Sequence, residues 1–146
     1  DGNKVELCLS AGHKTTKNIR ATGAFTVSFA DAANLVASDY VGLASANTEP
    51  KKMEKSGFHL TKSQFVNAPL IDELPVAMEC KLIKINEDGN VIGEIVNVSA
   101  DESVLGEDGA IDFSKFRPIS FEPVHNGYHV LGERVGNAFQ DGAALK

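Results

Sequence analysis

The chain has 146 residues, of which 42% are hydrophobic and 23% charged, a balance suited to a water-soluble globular domain with a core of its own. Its formal net charge of −6 excludes a general nucleic-acid binder, which needs a concentrated basic face. No apolar run reaches the length of a membrane-spanning helix.

The first element is a strand over Val5 to Ser10, where Val5, Leu7, Cys8 and Leu9 mix with short polar residues. Thr15 to Thr22 reads as a short helix that Gly23 is placed to end. Ala24 to Phe29 reads as a second strand with Phe25, Val27 and Phe29 on one face. Asp31 is then expected to open a helix over Ala32 to Ser38. Tyr40 to Phe58 reads as irregular and partly helical, with Pro50 starting a turn that Gly57 stops. Thr61 to Leu74 reads as a long loop containing Pro69, and loops of that length are more often functional than idle.

Val76 to Ile85 is the clearest strand. Val76, Met78, Cys80 and Leu82 face one way, while Glu79 and Lys81 face the other. Asp88-Gly89 marks a hairpin turn, and Val91 to Val98 returns as the partner strand. Ile119 to Phe121 and Tyr128 to Leu131 are further strands, and Gly132 to Phe139 is either a terminal helix or an extended segment. Strands with small helices between them suit an antiparallel barrel better than a doubly wound sheet. The whole of residues 1–146 is expected to form a single domain.

The stretch His13-Lys14-Thr15-Thr16-Lys17 draws attention to chemistry. The first amides of a helix lack intrahelical partners and favour an anion. A phosphate there would collect backbone N–H groups, threonine hydroxyls and the charges of Lys14, Lys17 and Arg20. The plainer reading is a threonine N-cap followed by a solvated basic face, and the residues alone favour it. Cys8 and Cys80 are read as buried free thiols of a reducing, cytoplasmic compartment, with a disulfide between them as the other possibility. His59 and His125 read as surface or loop residues. Neither has a neighbour at metal-ligand spacing, so no metal is expected. Asp101-Glu102 and Glu107-Asp108 read as solvated acidic loops.

The run H-K-T-T-K-N-I-R-A-T-G-A-F-T-V-S-F, followed in order by D-Y-V-G-L-A-S, K-K-M-E-K-S-G-F, A-P-L-I-D-E-L-P-V-A-M-E-C-K-L, G-E-I-V-N-V and Y-H-V-L-G-E, resembles the flavin reductase-like, FMN-binding split-barrel family of flavoredoxin and its relatives. The resemblance implies a mainly β fold with short helices: a six-stranded antiparallel split β-barrel, in a homodimer with FMN near the subunit interface. It implies electron transfer from a reduced nicotinamide nucleotide, or from a protein electron donor, to or through the flavin. The phosphate-binding stretch of the family falls on His13, Lys14, Thr15 and Thr16, and a basic residue often stands where this chain has His13, so that contact is expected to be weaker. Lys52 matches a second phosphate cation, and Ser45 in the preceding turn is a hydroxyl donor. Tyr128 and His129 match an aromatic pair that approaches the flavin ring or its ribityl chain; a core tyrosine on a barrel strand is an equal reading. No residue is assigned as a catalytic acid or base, since the cofactor carries the chemistry.

The resemblance begins inside the strand that precedes the phosphate helix, and it implies a further N-terminal segment of several strands before that point, so the barrel is expected to be incomplete at the N-terminus. A noncatalytic FMN-binding electron carrier, or a flavin-free dimerisation module, is therefore the alternative to an oxidoreductase. An oxidase of pyridoxine phosphate on a related barrel is a weaker third reading.

Overall fold

The computed structural model describes residues 2–146; Asp1 lies outside the described residues. In chain order the strands are β1 (Lys4–Leu7), β2 (Ala24–Ser28), β3 (Leu60–Lys62), β4 (Pro69–Ile71), β5 (Val76–Ile85), β6 (Val91–Ala100), β7 (Ile119–Glu122) and β8 (Gly127–Val130). The helices are α1 (Lys14–Thr22), α2 (Leu35–Leu43) and α3 (Lys52–Ser56).

A four-stranded antiparallel sheet in the order β1-β6-β5-β2 forms the centre. The remaining strands pair as two separate hairpins, β3–β4 and β7–β8, rather than as rungs of one six-stranded sheet. β5 and β6 are joined at Asn86–Asn90, where Gly89 takes φ 88°, a conformation that the missing Cβ permits. The register of this hairpin slips twice. Glu79 lies opposite Asn97 but Cys80 opposite Ile95, so Val96 is an extra residue on β6. Ile83 is extra on β5. These bulges increase the local twist.

One face of the sheet carries the core. Ile19 of α1 packs with Phe25, Cys80 and Val91, and Val5, Leu7, Leu9, Val27, Met78, Leu82, Ile85 and Ile95 surround them. Gly93 is required here for close approach: a Cβ on it would stand 2.7 Å from Phe25 Cε1 and 3.3 Å from the Lys81 carbonyl. A second cluster joins Val76, Val104 and Phe116.

The opposite face is polar yet covered. Glu79 is 2% exposed. Ser63 donates its hydroxyl to the Glu79 carboxylate, and Asn97 Nδ2 donates to Glu79 Oε1 at 2.7 Å. Ser63 Oγ in turn accepts the N–H groups of Phe65 and Val66, both at 2.9 Å. The carboxylate therefore holds the 63–68 turn against the sheet. Thr26 Oγ1 adds a bond to the Pro69 carbonyl at 2.6 Å. Lys81, two residues along from Glu79, is exposed.

Several sequence expectations need correction. The 61–74 segment is not a loop but contains the β3–β4 hairpin, in which Pro69, having no N–H, pairs opposite Lys62 at the hairpin end. α2 starts at Leu35 rather than Ala32, because residues 30–32 are held extended against 117–119: Ala32 N–H donates to the Arg117 carbonyl at 3.0 Å and Ile119 N–H to the Ala30 carbonyl at 3.1 Å. Asp31 still accepts the Asn34 N–H at 2.9 Å, but as a turn preceding the helix. The cysteines are both free, and Cys80 is buried as expected, its thiol raised above the ordinary value by burial; Cys8 is exposed. The 132–139 segment is neither a helix nor a strand: residues 132–137 have no regular structure, residues 138–140 form a turn in which Phe139 takes φ 63°, and a short 3-10 helix follows at Asp141–Leu145. No helix among the described residues is long and apolar enough to cross a membrane.

Candidate functional site

α1 begins where the chain turns away from β1. His13 is its N-cap residue with φ −65° and ψ 143°, and its side chain makes no capping bond. The threonines therefore lie inside the first turn and are not the cap that the sequence suggested. Gly23 ends the helix in the left-handed conformation, φ 68°, with its N–H on the Ile19 carbonyl at 2.9 Å.

The structure separates the two threonines. Thr15 is exposed. Thr16 is 1% exposed, and its hydroxyl donates to the Ser10 carbonyl at 2.8 Å. His13 N–H donates to the same carbonyl at 3.1 Å. Thr16 thus spends its proton on the loop that enters the helix, and Thr15 presents the outward hydroxyl. The amides of Lys14, Thr15 and Thr16 have no acceptor four residues back within the helix. The first turn holds no acidic residue, and Lys14 and Lys17 are exposed beside it. Donors, positive dipole and cations without a carboxylate make this end of α1 suited to an anion.

Ser45 and Lys52 lie on one turn, which is tied to the loop before α1 through Asn47. The Ser45 carbonyl accepts N–H groups from Thr48 at 3.0 Å and Glu49 at 2.8 Å. Ser45 Oγ accepts the Asn47 N–H at 3.3 Å. Asn47 Nδ2 then donates to the Gly12 carbonyl at 3.0 Å, joining the turn to the residue before His13. Glu49 organises the start of α3. Its carbonyl accepts the Lys52 N–H at 3.2 Å, and its carboxylate accepts the Lys51 N–H at 3.2 Å and pairs with Lys55 at 2.5 Å. The bond to Lys55 holds the Glu49 carboxyl below its ordinary range and raises Lys55. Asn47 and Glu49 were not singled out from sequence; the visible signal was only the turn-forming cluster Ser-Ala-Asn-Thr-Glu-Pro.

Tyr128 and His129 lie on β8, and no hydrogen bond or ion pair among the described residues joins them to the start of α1. The Tyr128 ring is 5.8 Å from that of Phe121 at 60°, and its hydroxyl donates to Asp39 on α2 at 2.7 Å. That bond raises the phenol above its ordinary value. His129 Nε2 stands 3.9 Å from Glu122 and is exposed. His125 pairs with the same glutamate at 3.3 Å. His59 pairs with Glu73 at 2.5 Å, which raises the imidazole and lowers the carboxyl. An open groove of about 470 Å³ lies between α2 and α3, lined by Asn34, Val36, Tyr40 and Lys55 among others; it includes none of the residues matched to the cofactor.

Known proteins share this arrangement of elements. The structure is similar to flavoredoxin of Desulfovibrio vulgaris (Miyazaki F), with a TM-score of 0.90 and 36% identity over 95% of this chain and 75% of that one. It is similar to flavoredoxin from Methanosarcina acetivorans, with a TM-score of 0.85 and 26% identity over 98% of this chain and 75% of that one. Among curated sequences, an uncharacterized protein of Aquifex aeolicus (strain VF5) is 34% identical over 74 residues, 49% of this chain and 38% of its own length. The chain spans less than half the length of the curated relatives it matches. The fold is thus mainly antiparallel β with short helices and matches the split barrel of flavoredoxin. The flavin reductase like domain matches residues 3–120, and the chain belongs to that family.

Proposed function

We propose that this chain is the FMN-binding domain of an oxidoreductase that passes electrons from a reduced nicotinamide nucleotide, or from a protein electron donor, to or through the flavin. The observation that carries the reading is the start of α1 in a chain of this FMN-binding family: outward amides, the Thr15 hydroxyl and lysines, with no acidic residue in the first turn. These groups fit a phosphate monoester. Lys14 and Lys52 supply its countercharge, Thr15 and Ser45 supply hydroxyl donors, and His13 supplies a ring nitrogen at the mouth of the helix. Thr16 acts from behind by fixing the entry loop and by lending its amide. When bound, the flavin supplies the hydride and electron chemistry. The chain's own task is to hold the phosphate and so place the ring. Tyr128 and His129 are the residues proposed to meet the ring or the ribityl chain.

Two further parts of the reading concern surroundings. The chain is proposed to act as a homodimer in the cytoplasm. Exposed apolar side chains on and after the β7–β8 hairpin, Phe121, Val124, Leu131 and Val135, support the first, and two free cysteines support the second.

The test is addition of FMN to the purified protein, removal of excess by gel filtration, and a visible spectrum. Retained flavin absorbance, followed by oxidation of reduced nicotinamide nucleotide, is the expected result. Retained flavin without turnover on any nicotinamide nucleotide, and with reduction by a redox protein, selects the protein-donor form. A colourless protein overturns the reading.

A further inference from the structure

The candidate phosphate site draws on two stretches separated by β2 and α2. One is the loop 10–13 that enters α1, and the other is the turn 45–52 that ends at the proposed cation Lys52. Among the described residues one hydrogen bond joins them, from Asn47 Nδ2 to the Gly12 carbonyl at 3.0 Å. Resting on the FMN reading above, we infer that Asn47 is a positioning residue for the phosphate end of the cofactor: its side-chain amide latches the Lys52 turn onto the mouth of α1.

Both sides of the latch are internally fixed, so the bond between them sets their separation. On the α1 side, the Ser10 carbonyl accepts from Thr16 Oγ1 at 2.8 Å and from His13 N–H at 3.1 Å, and Gly12 N–H reaches Ser10 Oγ at 3.4 Å. On the other side, bonds run without a gap from Asn47 to Lys52. Asn47 N–H and Glu49 N–H both bond Ser45, and the Glu49 carbonyl accepts the Lys52 N–H. Lys55 is committed to Glu49, whereas the ammonium groups of Lys51 and Lys52 form no ion pair among the described residues. The acceptor at Gly12 is a carbonyl oxygen, so the latch needs a donor. A carboxylate at position 47 would set oxygen against oxygen, and an alanine would leave the turn free to swing.

The experiment titrates FMN and riboflavin into wild type, Asn47→Ala, Lys52→Ala and the double variant, by flavin fluorescence at low and high salt, with thermal unfolding of each flavin-free protein. Riboflavin lacks the phosphate. Asn47→Ala is expected to weaken FMN about three- to tenfold, the worth of one exposed hydrogen bond, and to leave riboflavin unchanged. It should flatten the salt dependence of FMN binding and add nothing to Lys52→Ala. Asn47→Gln, which keeps the donor, should recover part of the loss. Equal weakening of both flavins, full additivity with Lys52→Ala, or unchanged FMN affinity overturns the inference while leaving wild-type FMN binding intact. Absence of FMN binding by wild type overturns the functional reading and takes the inference with it.

Discussion

The Thr16 hydroxyl donates to the Ser10 carbonyl from a buried position, while its neighbour Thr15 points outward. Two adjacent threonines thus carry different tasks. Thr16→Val keeps the shape and removes the donor, leaving a carbonyl short of one partner. It should cost about 1–2 kcal/mol of stability, measured by urea unfolding. Thr15→Ala should leave the unfolding midpoint in place and weaken FMN by roughly 1.5–3 kcal/mol, the range for a bond to a charged group. Equal loss of stability in both would show that the pair is structural throughout.

Glu79 and Ser63 close the polar face of the sheet. Ser63→Ala strips one donor from a buried carboxylate and the acceptor from two amides. A loss of about 1–3 kcal/mol is expected, and Glu79→Ala should cost more, since it also opens a cavity. Protease cutting within 63–68 should rise in both variants. Stability within about 0.5 kcal/mol of wild type for Ser63→Ala would remove the network from the account of how the β3–β4 hairpin is held.

Gly93 leaves space that the Phe25 ring fills. Gly93→Ala forces the ring or the strand to move, at a cost of about 1–3 kcal/mol. The double variant Gly93→Ala with Phe25→Leu should recover part of that loss. If Gly93→Ala alone is neutral, the contact is softer than the geometry states.

The exposed pair His59–Glu73 gives a pH signature. The imidazole is raised in the folded state by its bond to Glu73, so its contribution is fully present below its ordinary value of 6.5 and is lost as pH rises through the folded value. Glu73 is lowered, so its contribution is present above its ordinary 4.5 and lost as pH falls through its folded value. The pair therefore stabilises most between those two ordinary values. NMR titration of the His59 ring should give a midpoint above 6.5 that returns toward it in Glu73→Gln. An unchanged midpoint would separate the two groups in solution.

Elements with local signals were legible in the sequence. β5 appeared with its full span because its apolar alternation is long, and α1 because Gly23 closes it. The β3–β4 hairpin was missed because each strand has three residues, too short for a period, and Pro69 argues against a strand. Cys8 was misplaced although alternation from Val5 through Leu7 to Leu9 sets it beside Glu6 on the outer side. Glu79 was given the correct face but not its burial, since the cover comes from Ser63, 16 residues away. The division between Thr15 and Thr16 depends on the Ser10 carbonyl, and the Asn47 latch on a bond across 35 residues, so neither was open to a local reading.

The sheet order β1-β6-β5-β2 has a consequence for biosynthesis. Lys4 pairs with Glu94 and Ala24 with Lys81, so both outer strands leave the ribosome before the hairpin that accepts them. At about 5–20 residues per second, the roughly ninety residues between β1 and its partner take on the order of 5–20 s to make. During that interval β1 and β2 carry open edges in a crowded cell, the condition under which strands pair with the wrong neighbour. Both outer strands are made before the central β5–β6 hairpin, so the sheet can close only after that hairpin has emerged.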